Sequence, residues 1–194
     1  MDGRVLEYLL AGLLFYLIGS IPFSYLLARS KGIDLRTVGS GNVGATNVGR
    51  VLGRRYWALA LVLDLGKGLL TAWLAGLWGL PPWLAGLAVI GHDWSIFLHF
   101  TGGKGVATTL GVLALTSWEA LLVALLIWVL LVKLSGYASV ASLSALAIAP
   151  PLVLAFTRNP VLAWFFVALW LLSLYRHREN LRRLLRGEED RAFR

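Results

Sequence analysis

Three short stretches of the chain collect residues suited to holding an anion. The first reads Gly39-Ser40-Gly41-Asn42-Val43-Gly44-Ala45-Thr46-Asn47, with Arg50 following. Glycines let backbone N–H groups converge on one oxygen-rich group. Ser40, Asn42, Thr46 and Asn47 add neutral hydrogen-bonding groups, and Arg50 adds a planar fork that matches phosphate. The second reads Thr101-Gly102-Gly103-Lys104-Gly105-Val106-Ala107-Thr108. Lys104 sits among glycines just ahead of an expected helix, whose free N–H groups and positive dipole end suit a phosphate near Gly102, Gly103 and Thr108. The third runs from Arg176 to Leu184. On a helix His177, Asn180 and Leu184 share a face, with Arg183 nearby.

Each stretch has a plainer reading. The first is a flexible connector, the second a turn with a topology-setting lysine, the third a basic juxtamembrane anchor. The anchor explains the arginines but not His177 and Asn180 on one face. Two familiar nucleotide motifs are excluded. Gly39, Gly41 and Gly44 satisfy G-x-G-x-x-G, but no strand precedes them and no βαβ unit fits. The second stretch is not a Walker A loop, because Leu98 stands where glycine is needed and Gly105 replaces Ser or Thr. Asp64 and Lys67, three apart on one helix face, are either a functional pair or a mutually neutralising pair that fixes packing. For His92, followed by Asp93, a buried packing role is the commoner explanation. No histidine is followed five positions on by aspartate, since Phe97, Lys104 and Arg182 occupy those places, and no G-x-S-x-G elbow is present. With three histidines and no cysteine, neither a metal nor a cofactor is expected.

These groups need a scaffold, and composition names it. The 194 residues are 58% hydrophobic and only 14% charged, with mean hydropathy +0.74. Soluble domains carry roughly 25% charged residues. The expected fold is therefore an all-α integral membrane protein, with residues 1–194 forming a single membrane domain. Apolar segments fall at 5–28, 56–80, 83 to about 100, 106–116, 118–134, 138–156 and 160–175. That gives about seven transmembrane helices, some short. The 11-residue segment reaches only about 16 Å as a helix. Segment 5–28 is too long for a signal-peptide core and is read as a retained helix, kinked near Pro22. Residues 29–55 form a polar glycine-rich loop, and about 176–194 a basic amphipathic segment with Leu181, Leu184 and Leu185 on its apolar side.

The net charge of +8 then points to a membrane surface and anionic substrates rather than nucleic acid. Seven crossings place 15 of the 18 Lys and Arg residues on one side and Arg4 and Arg158 on the other, with Lys67 inside a span. The positive-inside bias makes that side cytoplasmic, with the motif loops and C-terminus inside and the N-terminus outside.

Taken together in this order, the Gly39–Asn47 stretch, the Gly102–Thr108 stretch and His177 with Asn180 and Arg183 resemble the bacterial acyl-phosphate:glycerol-3-phosphate acyltransferases. Asp64 and Lys67 followed by Gly68 are also similar to that family, and the likeness covers essentially the whole chain. Ser95 stands where a proline is expected, which alters the end of the third helix. The resemblance implies transfer of a fatty acyl group from acyl phosphate to the 1-hydroxyl of glycerol 3-phosphate, giving lysophosphatidic acid and phosphate, in a bacterial inner membrane. It implies membrane lipid around the chain, and it is compatible with a monomer. Under this reading Ser40, Gly41 and Asn42 serve one phosphate, and Lys104, Arg50, His177 and Asn180 the other or the developing oxyanion. The general base is either His177 or a substrate phosphate oxygen. Asp64, Lys67 and His92 are supporting residues. A transporter of organic anions or phosphate would share the helices and the anion motifs, but all three motifs lie on one side and no inverted repeat is evident.

Overall fold

A computed structural model describes residues 3–192 of the chain. Arg194, counted with the basic tail, lies outside the described residues. Each of the seven apolar segments contains helix, since in lipid a segment must satisfy its own backbone N–H and C=O groups.

Helices α1 (Gly3–Ser20) and α2 (Phe23–Arg29) are separated by a break at Ile21 and Pro22. Proline has no N–H to give, so the helix does not run on through Pro22, and Lys67 Nζ donates to the carbonyls of Gly19 and Ile21 beside the break at 2.9 and 3.1 Å. The expected polar loop 29–55 is only partly a loop. It contains a short helix, α3 (Ala45–Leu52), whose buried face includes Asn47 and Val48. Thr46, Asn47 and Arg50 are therefore helical residues. Helix α4 (Arg54–Leu77) follows.

The third apolar segment stops earlier than expected. A 3-10 turn (Pro82–Ala85) leads into α5 (Gly86–Asp93), and the chain then leaves the helix. Ser95 explains part of the change. Its hydroxyl donates to the carbonyl of Ser20 at 2.5 Å, its backbone bridges to Thr101, and His99 and Phe100 take left-handed backbone angles. The chain becomes helical again in α6 (Val106–Thr116), α7 (Trp118–Ser135), α8 (Ala138–Thr157) and α9 (Pro160–Arg176). Helix α10 (Arg178–Arg186) then turns away from α9 by 54°.

Length separates these helices. Among the described residues four are long and apolar enough to cross a bilayer, namely α1 with α2, α4, α7 and α8, or five if α9 with α10 makes one span. Helices α5 and α6 reach about 12 and 16 Å, short of a hydrocarbon core of about 30 Å. The glycine loop around Lys104 lies between these two short helices. Lipid cannot drive apolar helices together, so close backbone approach matters. Helices α4 and α6 achieve it at Gly68 and Gly111: a Cβ on Gly68 would collide with the carbonyl of Thr108, and one on Gly111 with that of Leu65. Leu110, Leu113, Leu146, Val153 and Phe166 form the inner core, while Val62, Leu126 and Trp164 point outward with more than 60% of their surface exposed, as side chains facing lipid do.

Candidate active site

The three motifs converge at one end of the helices, around a cavity of about 210 Å³. The loop after α2 supplies Ser40 and Asn42, and α3 supplies Thr46 and Arg50. The loop before α6 supplies Lys104, and the α9–α10 bend supplies His177 and Asn180. Asp64 of α4 and His92 of α5 reach the floor. Helices α4, α6 and α7 add an apolar wall that includes Leu61, Leu110, Leu125 and Val129.

Local bonds fix the polar end. Asn47 touches the cavity but is committed to the first loop: its Oδ1 accepts from Ser40 N at 3.0 Å, and its Nδ2 donates to the carbonyls of Leu35 and Val38. Asn42 Oδ1 accepts from Gly44 N at 2.9 Å, which leaves its amide N–H groups for a ligand. Lys104 Nζ donates to Asn180 Oδ1. Burial pushes Lys104 down to about 8, against the raising effect of Glu189, so the group is still mostly an ammonium at neutral pH. His177 Nδ1 lies 2.8 Å from the carbonyl of Ser173, which can only accept. The proton is therefore on Nδ1, and Nε2 is a bare acceptor. Burial and then the charge of Lys104 lower His177 to about 3, so this imidazole is neutral and weakly basic. Burial also lowers Arg50, with Asp190 and Glu189 opposing it.

Several residues singled out from sequence do other work. Gly102 and Gly103 do not line the cavity. They permit a close approach to α5, where a Cβ on Gly103 would collide with His92 Nε2 and one on Gly102 with the carbonyl of His92. Arg176, stacked on Trp94, donates to the carbonyls of both glycines and clamps the loop from outside. Thr108 is buried and donates to the carbonyl of Asp64 at 3.1 Å. Gly41 forms a turn at φ 71°. Lys67 is buried behind the cavity against Asp64 (3.1 Å) and His92 Nδ1 (2.9 Å). Arg183 pairs with Glu189 at 2.8 Å. Leu185, expected on an apolar side, is 89% exposed, which still suits a helix lying on a membrane surface.

Glu189 is the residue that sequence reasoning missed. It lines the cavity, and its carboxylate accepts from Asn180 Nδ2 (2.6 Å), Ser139 Oγ (3.0 Å) and Arg183 Nε (2.8 Å). Gly187, at φ 71°, turns the tail back over the site, and Arg50 then holds the carbonyls of Asp190 and Arg191. The available signal was a glycine directly after the basic helix, followed by three acidic residues in an arginine-rich tail.

Such a cavity offers an ammonium, a guanidinium, amide donors and a neutral histidine at one end, and a hydrocarbon-like wall at the other. Comparison with known proteins points the same way. Residues 9–187 match the family model described as glycerol-3-phosphate acyltransferase. A glycerol-3-phosphate acyltransferase of Rhodospirillum rubrum is 47% identical over 91% of this chain and 87% of its own. One of Aquifex aeolicus is 45% identical over 91% and 94%. The crystal structure of PlsY, an integral membrane glycerol 3-phosphate acyltransferase, in its glycerol 3-phosphate form superposes with a TM-score of 0.89 at 41% identity, covering 95% of both chains. Its lysophosphatidic acid form gives 0.86 at 40%. By sequence along nearly its whole length and by fold, this chain is an integral membrane acyltransferase and belongs to the glycerol-3-phosphate acyltransferase family.

Proposed function

We propose that the protein transfers a fatty acyl group from acyl phosphate to the 1-hydroxyl of glycerol 3-phosphate, releasing lysophosphatidic acid and inorganic phosphate at the cytoplasmic face of a bacterial inner membrane. The observation that carries this reading is the single cavity that joins a cationic, amide-rich end to an apolar wall between helices. Both substrates bring a phosphate, and only one brings a lipid tail.

An acyl phosphate is a mixed anhydride and needs no enzyme nucleophile. The glycerol oxygen bonds to the acyl carbon, the bond from that carbon to the bridging phosphate oxygen breaks, and the phosphate leaves with the electron pair. Catalysis then reduces to alignment and charge stabilisation. Lys104, Arg50 and Asn180 suit one phosphate, and Ser40, Asn42 and the N–H groups at the start of α3 suit the other. His177 Nε2, a bare acceptor, suits the attacking hydroxyl as an orienting group. Its low basicity favours a phosphate oxygen as the final home of the proton. Asp64, Lys67 and His92 support the floor. The basic residues near the motifs suit the inner leaflet, and one chain supplies every group named.

The test is to give purified protein labelled glycerol 3-phosphate with either palmitoyl phosphate or palmitoyl-CoA, and to count lysophosphatidic acid. Turnover with the acyl phosphate alone is expected. Turnover of the thioester at a similar rate would refute the donor assignment.

A further inference from the structure

The apolar half of the cavity has a feature that the reaction itself does not use. Trp57 of α4 and Trp128 of α7 stack across it, with ring centroids 6.0 Å apart and planes within 16°. Helix α7 otherwise packs chiefly on α8 and on α6, so this stack closes the gap between α4 and α7. Both rings line the cavity. Val129 lines it too with 44% of its surface exposed, and Leu126, one turn before it on α7, is 67% exposed, so the cavity wall runs close to the face that meets lipid.

The cavity volume of about 210 Å³ is below the ~300–1,000 Å³ that encloses a drug-sized ligand. A long acyl chain bound there must leave the protein sideways, and the gap between α4 and α7 is where the wall meets lipid. The stack at that gap is rigid from both sides. A Cβ on Gly49 of α3 would lie 2.8 Å from Trp57 Cβ, so Trp57 is seated directly on a helix backbone and cannot retreat. Trp128 donates its indole N–H to Ser142 Oγ at 3.1 Å.

We propose that the Trp57–Trp128 stack frames the lateral exit of the acyl chain and is its specificity-determining element: an unbranched chain slides past the rings, and a chain widened by a branch at their depth is refused. This rests on the acyl-donor reading above. Carbons beyond the rings sit in lipid whether the donor is free or bound, and lipid tails are as apolar as a leucine side chain, so they add no discrimination. At the rings, one extra methyl group against a fixed wall is worth roughly 10- to 200-fold in rate.

The experiment compares palmitoyl phosphate with a set of acyl phosphates of equal length carrying one methyl branch, moved stepwise along the chain. Wild-type protein is expected to lose at least about tenfold in kcat/KM at one or two internal branch positions. In Trp57→Ala that loss falls to less than threefold, while KM for glycerol 3-phosphate stays within twofold. Leu126→Ala, on the outer face of α7, keeps the wild-type pattern. Trp128→Ala removes the other ring of the stack and likewise brings the loss below threefold, which provides a readout even if Trp57→Ala does not fold. A branched-to-straight ratio unchanged in both Trp57→Ala and Trp128→Ala overturns the proposal. Failure of the donor reading would look different: wild-type protein would not turn over palmitoyl phosphate at all, and this inference would fall with it.

Discussion

Removing the ammonium of Lys104 is the most direct perturbation of the site. Lys104→Ala deletes the lysine that lines the cavity and leaves the fold its backbone contact there, because Ser173 Oγ donates to the backbone carbonyl of Lys104. An ammonium about 3 Å from a phosphate oxygen at an effective dielectric near 20 gains about 5 kcal/mol per unit charge. Part of that is offset by stripping water from the lysine, a cost visible in its lowered pKa of about 8. A net loss of about 2–5 kcal/mol remains, or roughly 30-fold to several thousand-fold in kcat/KM. Lys104→Arg recovers little. Its planar fork needs room that the loop lacks, with Gly105 at φ 68° packed against Val89 and Asp93. The assay is lysophosphatidic acid formed from palmitoyl phosphate and glycerol 3-phosphate by detergent-purified protein, with thermal unfolding as the control. The sign with pH follows from the lowered value: the ammonium is present below pH 8 and lost as pH rises through it, so wild-type kcat/KM falls above about pH 8 and the residual activity of Lys104→Ala does not. Near-normal turnover by a folded Lys104→Ala protein would refute the assignment.

Glu189→Ala leaves Asn180, Ser139 and Arg183 without their shared acceptor and lowers unfolding stability by about 3–5 kcal/mol; Glu189→Gln keeps one carbonyl acceptor and loses about half as much, both read by thermal or denaturant melts. Gly111→Ala sets a methyl group against the carbonyl of Leu65, and overpacking against backbone costs about 1–3 kcal/mol or more, seen as a lower melting temperature with KM values unchanged. The chain has no cysteine, so single Cys substitutions at Arg50, Lys104 and Arg183 report topology directly. All three are expected to react only from the cytoplasmic side of inverted and right-side-out vesicles, and outside-only labelling at position 104 would break the shared site apart.

The helical segments were legible because hydropathy needs no tertiary information: an apolar run in lipid must be helix. Their ends were not. Segment 83–100 leaves the helix after Asp93, where Ser95 bonds to the carbonyl of Ser20, 75 residues away in sequence, and no local signal encodes that partner. Helix α3 was hidden because glycine, asparagine and threonine are weak helix formers. Its stability comes from burying Asn47 and Val48 against the loop and α4. Motif spacing marked which residues gather but not which way they face. Thr108 and Asn47 belong to the right stretches, yet Thr108 bonds to α4 and Asn47 bonds to its own loop. Glu189 was missed for the opposite reason: it lies in a tail whose arginines marked it as a basic amphipathic segment, which drew attention away from its acidic residues.

Asp64 and Lys67 show why ionisable groups are tolerated inside these helices. An ammonium has three hydrogens, and Lys67 has three acceptors in the carbonyls of Gly19 and Ile21 and His92 Nδ1. The Asp64 carboxylate balances the charge at 3.1 Å and takes the hydroxyl of Ser24 at 2.6 Å. Two of the three lysine bonds thus close the break that Pro22 opens between α1 and α2. The third holds the ring of His92, and that ring meets Gly103 so closely that no side chain fits there. Gly103 in turn is followed by Lys104. The buried pair is therefore a packing device with consequences for the site: it turns a gap in one helix into the seat for the loop that carries the ammonium. Charge in the membrane is costly, and here that cost is offset by fixing four elements, α1, α2, α4 and α5, where both glycine motifs meet.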